Sequence, residues 1–397
     1  MPANHLTFPA HFLWGSATAA HQTEGNNVNS DWWAREHAPG TSIHEPSGDA
    51  CDSYHRYGED IALLADLGFN TYRFSLEWAR IEPEQGFVSR AALDHYRRMV
   101  AACHQVGLTP MVTLHHFTVP RWFAQRGGWQ APDAADLFAR FTEAVLPVLA
   151  DGVEWVCTIN EPNGVAHDAG KANEHLPNHV YGLPDPEVSQ TLVLAHRESR
   201  AVLSTLTGVK SGWTIATQAF QPEPGCEEIA HTYGYPREDF FLEAARGDDF
   251  IGVQAYTRTI IGPDGPKPPR EDAEKTLMGW EYYPPAVGDG IRNAWKLTDG
   301  VPVIVTENGI ATDDDRRRIA YTTGALTAVH QAMTEGIDVQ GYLYWSALDN
   351  YEWGSFRPTF GLIAVDRQTF ARTPKPSAHW LGQVAKSGRL TLDTTRQ

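Results

Sequence analysis

Eight short runs rich in β-branched and aromatic residues recur along the chain, and between them apolar residues fall at helical spacing. The runs lie at Leu13–Thr18, Thr71–Ser75, Thr109–Leu114, Trp155–Ile159, Gly212–Thr217, Phe250–Ala255, Val301–Thr306 and Gln340–Trp345. Such alternation specifies βα units, whose strands pair in parallel and are covered by helices. Eight units close a sheet on itself. The expected fold class is therefore α/β: a single (β/α)8 TIM barrel over residues 1–397, with its active site at the C-terminal ends of the strands. Helices are expected at Tyr57–Asp66, Ala91–Gln105, Asp136–Leu149, Glu187–Leu206, Asp315–Thr334 and Ser377–Ala385. The fifth strand and its following helix carry the faintest pattern. Gly262–Pro269 and Tyr282–Gly290, rich in Pro and Gly, read as long loops inside one domain, because candidate strands continue beyond both.

Charge narrows the partners. The chain has 32 Lys plus Arg against 49 Asp plus Glu, a formal charge of −17, which repels phosphate backbones and anionic lipid surfaces. Nucleic acid and membrane are not expected partners, and a neutral small molecule fits best. The N-terminus lacks a basic stretch leading into an apolar one, and no run approaches the roughly 20 apolar residues of a membrane span. Cys51, Cys103, Cys157 and Cys226 are widely spaced, without a CxxC pair. Reduced thiols, a cytoplasmic location and no structural metal are the expectations.

The informative pattern is what stands at the strand ends, where a barrel displays its reactive groups. Gln22 and Glu24 follow the first strand, and Arg73 lies in the second. The third runs into His115-His116, and the fourth ends in Thr158-Ile159-Asn160-Glu161-Pro162. Gln254 and Tyr256 close the sixth, Thr306-Glu307-Asn308-Gly309 the seventh, and Tyr344-Trp345 the eighth, ahead of Asp349, Glu352 and Trp353.

Two glutamates on separate inward-facing strands suit glycoside hydrolysis. In its retaining form the carboxyls lie about 5–5.5 Å apart, one attacking the anomeric carbon while the other protonates the leaving oxygen. At that spacing the charges repel, so one group keeps its proton near neutrality. Glu161 follows Asn160, whose amide suits a sugar 2-hydroxyl, and precedes Pro162, which stiffens the backbone. Glu307 sits in an apolar strand where Arg73 and Tyr256 are placed to hydrogen-bond its charged form. Glu307 is thus the expected nucleophile and Glu161 the acid/base.

With these residues in view, the chain resembles glycoside hydrolase family 1. The resemblance rests on TINEP, VTENG, the opening FLWGSATAAHQTEG, TLHHFTVP, and WSALDNYEW followed by FGLIAVD and RTPKPSAHWL, in the family's order and over nearly the whole chain. It implies β-glycoside substrates, net retention and no cofactor. It also implies that Gln22, His116, Asn160, Glu352 and Trp353 contact the hydroxyls of the non-reducing sugar and that Trp345 stacks beneath its ring. Gln254 and Phe360 complete the expected substrate-binding set, and Arg73 and Tyr256 become supports of the nucleophile. A glutamate at position 352 would repel a 6-phosphate, so an unphosphorylated hexoside is favoured. The chain departs from the family pattern at Gln254, where Asn is usual, at Phe117, where Trp is frequent, and at Thr359, where Arg is common. The segments after Glu161 and around Gly225–Asp249 are short for the family, which should open the leaving-group side.

Plainer readings stand beside these. A strand-end glutamate often caps the next helix. His115-His116 suggests a metal, but neighbours on a strand point to opposite faces, so one hydroxyl-binding and one packed histidine is preferred. Trp345 and Trp353 fit a core as well as a sugar platform. Asp313-Asp314-Asp315 followed by Arg316-Arg317-Arg318 reads as a charged helix start and solvated surface. For function the expectation is a β-glucosidase-like hydrolase, with galactosides and fucosides as further substrates. A transglycosidase, a 6-phospho-β-glycosidase and a non-catalytic sugar-binding barrel are the rivals.

Overall fold

The apolar runs become eight strands: β1 (Leu13–Ala17), β2 (Thr71–Ser75), β3 (Thr109–His115), β4 (Trp155–Asn160), β5 (Lys210–Ala216), β6 (Ile251–Gln254), β7 (Val303–Asn308) and β8 (Val339–Trp345). The computed structural model describes residues 4–43, 45–169 and 182–392. The strands pair in parallel, each with its sequence neighbours, and β8 returns to β1 to close the barrel. The helices that follow them are α1 (Ser53–Leu67), α2 (Arg90–Gln105), α3 (Ala134–Leu149), α4 (Pro186–Leu203), α5 (Glu227–Gly234), α6 (Ala286–Leu297), α7 (Asp315–Thr334) and α8 (Pro376–Ser387). Helix α5 continues through a π-helical turn at Tyr235–Asp239 into Phe240–Ala244, the irregular form of the unit whose pattern was faintest.

Val112, Val156, Ile215, Val253 and Val305 on the strands share one apolar core with Ile61, Val100, Phe138, Leu192, Ile291 and Leu326 on the helices. Each such side chain contributes about 1.5–3 kcal/mol on burial. A separate cluster of Met111, Trp155, Cys157, Phe250, Ile304 and Leu343 forms where alternate strand residues meet. Toward the strands' C-terminal ends, buried positions turn polar: Arg73, Thr113, Asn160, Thr214, Gln254 and Glu307. Buried polar groups need partners, so this end is built as a hydrogen-bonded network.

Three expectations need correction. Tyr282–Gly290 is not wholly a loop, since α6 begins at Ala286 and takes in Gly288 and Gly290. A Cβ on Gly290 would meet Thr217 Oγ1 at 2.4 Å, so this glycine allows α6 to lie close on the barrel. Gly262–Pro269 is in part a hairpin, because Thr259–Gly262 pairs antiparallel with Gly265–Pro266 and parallel with Phe220–Pro222. Third, Arg318 is not solvated surface. It is buried and donates to Asp315 Oδ1 at 2.9 Å and to the carbonyls of Ile310, Thr312, Thr359 and Phe360, tying the start of α7 to the rim. Among the described residues no helix is long and apolar enough to cross a membrane.

Candidate active site

A cavity of about 290 Å³ opens at the C-terminal rim. It is lined by Gln22, His116, Asn160, Glu161, Gln254, Tyr256, Glu307, Trp345, Glu352, Trp353 and Phe360, eleven of the twelve site residues expected from the sequence. The twelfth, Arg73, is fully buried beside it.

Glu307, in β7, is gripped on both oxygens. Arg73 Nη1 donates to Oε1 at 2.7 Å and the Tyr256 hydroxyl to Oε2 at 2.6 Å. Burial pushes this carboxyl above its ordinary range, while Arg73, Tyr256 and Gln254 pull it back. A guanidinium has no lone pair, so Oε1 cannot carry a proton toward Arg73, and the anion is the form the site accommodates. Tyr256 is held protonated, first by burial and then by the charges of Glu307 and Glu161. Both glutamates therefore act on one hydroxyl. Glu161 lies just past β4 with φ of 45°, in the left-handed region, and its N–H donates to Thr214 O at 2.8 Å. A non-glycine residue held there is strained, and such strain clusters where geometry is functional. Pro162 then opens the helix Pro162–Ala169.

Arg73 spans the network, since its Nη2 donates to Asn160 Oδ1 at 2.6 Å and its Nε to Thr113 Oγ1 at 3.0 Å. Asn160 Nδ2 consequently turns toward His116 Nε2, at 3.4 Å. Burial, then Arg73, hold His116 well below the ordinary histidine range, so its ring is neutral. His115 packs edge to face on Trp129 and Phe138, as expected for the packed member of the pair. Gln22 Nε2 is taken up by Tyr351 O at 2.7 Å and by Asn350 and Glu352, leaving its buried Oε1 without a partner among the described residues. Glu352 accepts from Trp345 Nε1 at 3.3 Å; burial raises its pKa well above the usual range, against that bond, and the nearby Glu307 charge adds to the rise. Trp353 lies parallel to His21, ring centroids 5.6 Å apart, and Phe360 meets Tyr256 edge to face. Glu24 belongs elsewhere: it is paired with Arg80 at 2.7 Å and accepts from Tyr96 at 3.0 Å.

Ala216, Thr217, Gln218, Thr257, Met278 and Trp280 also line the cavity, as does Phe117, singled out in the sequence only as a departure. The first three stand at the end of β5, the strand with the faintest pattern. Met278 and Trp280 sit on a turn that Leu277 pins to the residues after β7 through a 3.0 Å bond to Ala311 O. A tryptophan within the Pro/Gly-bounded segment between β6 and α6 was the available signal.

A closed parallel barrel whose rim holds an Arg- and Tyr-gripped glutamate facing the same cavity as a second glutamate is the architecture of a glycoside hydrolase. The chain belongs to glycosyl hydrolase family 1, whose model matches residues 4–228 and 249–389. It is similar to the solved β-glycosidase BGL167, with 46% identity, 98% of this chain and 99% of that one covered, and a TM-score of 0.89. It is 33% identical to thermostable β-glucosidase B of Thermobispora bispora over 98% of this chain and 92% of that one. With β-glucosidase A of Thermotoga maritima it shares 32% identity over 98% of this chain and 99% of that one. That last alignment runs over 452 positions against 397 residues here, so the relative carries residues that this chain lacks. The unmatched stretch, 229–248, covers most of α5 and its π-helical continuation.

Proposed function

We propose that this chain works as one catalytic unit, an exo-acting β-glucosidase that cleaves small-molecule β-D-glucosides with retention through a covalent glycosyl-enzyme. The observation that carries the reading is the double grip on Glu307, which favours a charged nucleophile although its side chain is buried. Glu307 attacks the anomeric carbon, the bond to the leaving oxygen breaks, and Glu161 gives its proton to that oxygen. Glu161, now charged, then takes a proton from water as the water attacks the same carbon and releases Glu307. Side chains fill both roles, so the reaction as written uses no cofactor.

Gln22, His116, Asn160, Glu352 and Trp353 contact the sugar hydroxyls, Trp345 is the platform beneath the ring, and Phe360 and Gln254 complete the wall. The names of the β-glucosidase relatives and the presence of Glu352, which disfavours a 6-phosphate, support an unphosphorylated glucose; galactosides and fucosides are secondary substrates. The test is hydrolysis of an aryl β-glucoside followed by proton NMR. β-Glucose released first is the expected result, and α-glucose first would exclude the covalent route. The same spectra with an added alcohol report transfer to an acceptor other than water, and a matched 6-phosphoglucoside should be the poorer substrate.

A further inference from the structure

Gln254 stands where the family usually has the shorter Asn, and its surroundings give the extra methylene a use. Its Cα is opposite Glu307 on β7 and opposite Ala216 on β5, yet its Nε2 reaches across to β4 and donates to Asn160 Oδ1 at 2.9 Å. Asn160 Oδ1 also receives Arg73 Nη2 at 2.6 Å and Thr214 Oγ1 at 3.2 Å. Three donors on one oxygen define the amide's orientation, and Asn160 is left with its N–H groups toward His116 and the cavity. The orientation of Gln254 follows from the same acceptor, because its own oxygen turned that way would face Asn160 Oδ1. The consequence is an orphan: Gln254 Oε1 is buried and has no partner among the described residues. The residue lines the cavity, so this oxygen belongs to the same polar wall as Asn160.

We propose that Gln254 is a positioning residue that ties Asn160 on β4 to Glu307 on β7, and thereby sets the donor that Asn160 offers to the hydroxyl next to the reacting carbon. Arg73 makes the same tie from β2. Gln254 makes it from the opposite side, between the two glutamate-bearing strands, and without adding charge. Its amide is also among the groups that pull the Glu307 carboxyl down. The inference rests on the proposal that Asn160 binds the sugar 2-hydroxyl.

Gln254→Met keeps the length and removes the donor. The measurement is kcat/KM for an aryl β-glucoside and its 2-deoxy counterpart, together with the pH profile. Loss of the tie should lower kcat/KM on the glucoside by about tenfold and reduce the preference over the 2-deoxy sugar by a similar factor. It should also move the acid limb upward. Equal losses on both sugars with an unmoved acid limb would reduce Gln254 to packing and overturn the proposal. If Gln254→Met does not fold, Gln254→Asn keeps the amide but withdraws it by one methylene, and the same ratio decides. Asn160→Ala on the wild-type background separates the two readings. If that variant leaves the 2-hydroxyl preference intact, the role given to Asn160 fails, and the proposal for Gln254 falls with it. If the preference collapses in Asn160→Ala but not in Gln254→Met, only the proposal for Gln254 fails.

Discussion

Arg73 Nη1 donates to Glu307 Oε1 at 2.7 Å inside the barrel, where both side chains are almost wholly shielded from water. Removing one partner of a buried pair strands the other charge, a loss of about 3–5 kcal/mol. The same guanidinium also holds Asn160, a fork that lysine cannot reproduce. Arg73→Lys should therefore lower kcat/KM by roughly a hundredfold or more while leaving the far-UV circular dichroism unchanged. Activity within a few-fold of wild type would show that the grip on Glu307 is dispensable.

The two glutamates should fail in different ways. Glu307→Gly should abolish hydrolysis, and azide or formate should restore measurable turnover by entering the vacated space; silence at high azide counts against the nucleophile role. Glu161→Ala should slow glucosides with poor leaving groups by about 10²–10⁴ and activated aryl glucosides far less, because only the former need a proton. A Brønsted series of leaving groups reads this directly, and a flat loss across the series would contradict it.

The pH profile carries a third expectation. Burial raises the Glu307 carboxyl above its ordinary 4.5, with Arg73 and Tyr256 opposing. As pH falls through that raised value the nucleophile gains a proton and activity is lost, so the acid limb of kcat/KM should lie above pH 4.5. Tyr256→Phe removes one of the opposing hydrogen bonds and should push the limb higher still. A limb that moves down, or not at all, in Tyr256→Phe would mean that another group controls it.

The strands and the cavity were legible in the sequence because both follow local rules. Apolar runs of strand length name the barrel, and polar residues at the run ends name its rim, so Glu161, Glu307, Gln22 and Trp345 could be found without coordinates. What was hidden depends on close approach between distant segments. Gly290 reads as a loop residue until α6 is seen pressed onto Thr217. Arg318 reads as surface charge until the carbonyls of Thr359 and Phe360 are seen around it. Met278 and Trp280 reach the cavity through a turn pinned to the segment after β7, a pairing that no local spacing encodes.

Glu77, just past β2, offers a prediction about stability. It is buried, and its Oε2 accepts from Thr118 Oγ1 at 2.8 Å and its Oε1 from Ala79 N at 3.2 Å. Burial pushes its pKa up to about 8, Thr118 opposes, and the neighbouring Glu24 adds to the rise. Below the ordinary 4.5 both folded and unfolded chains keep this proton, and the group is neutral to folding. Between that value and about 8 the native state binds more protons than the unfolded one, so stability declines as pH rises, and above 8 the full penalty persists. In Glu77→Gln the amide oxygen can still accept from Ala79, and the amide nitrogen can donate to the Thr118 hydroxyl, while titration is removed. The variant should melt higher than wild type by roughly 2–4 °C or more at pH 8 to 9, with the gap closing toward pH 5. Melting curves across that range check it, and a shift of the same size at every pH would mean that repacking around position 77, not its charge, is responsible.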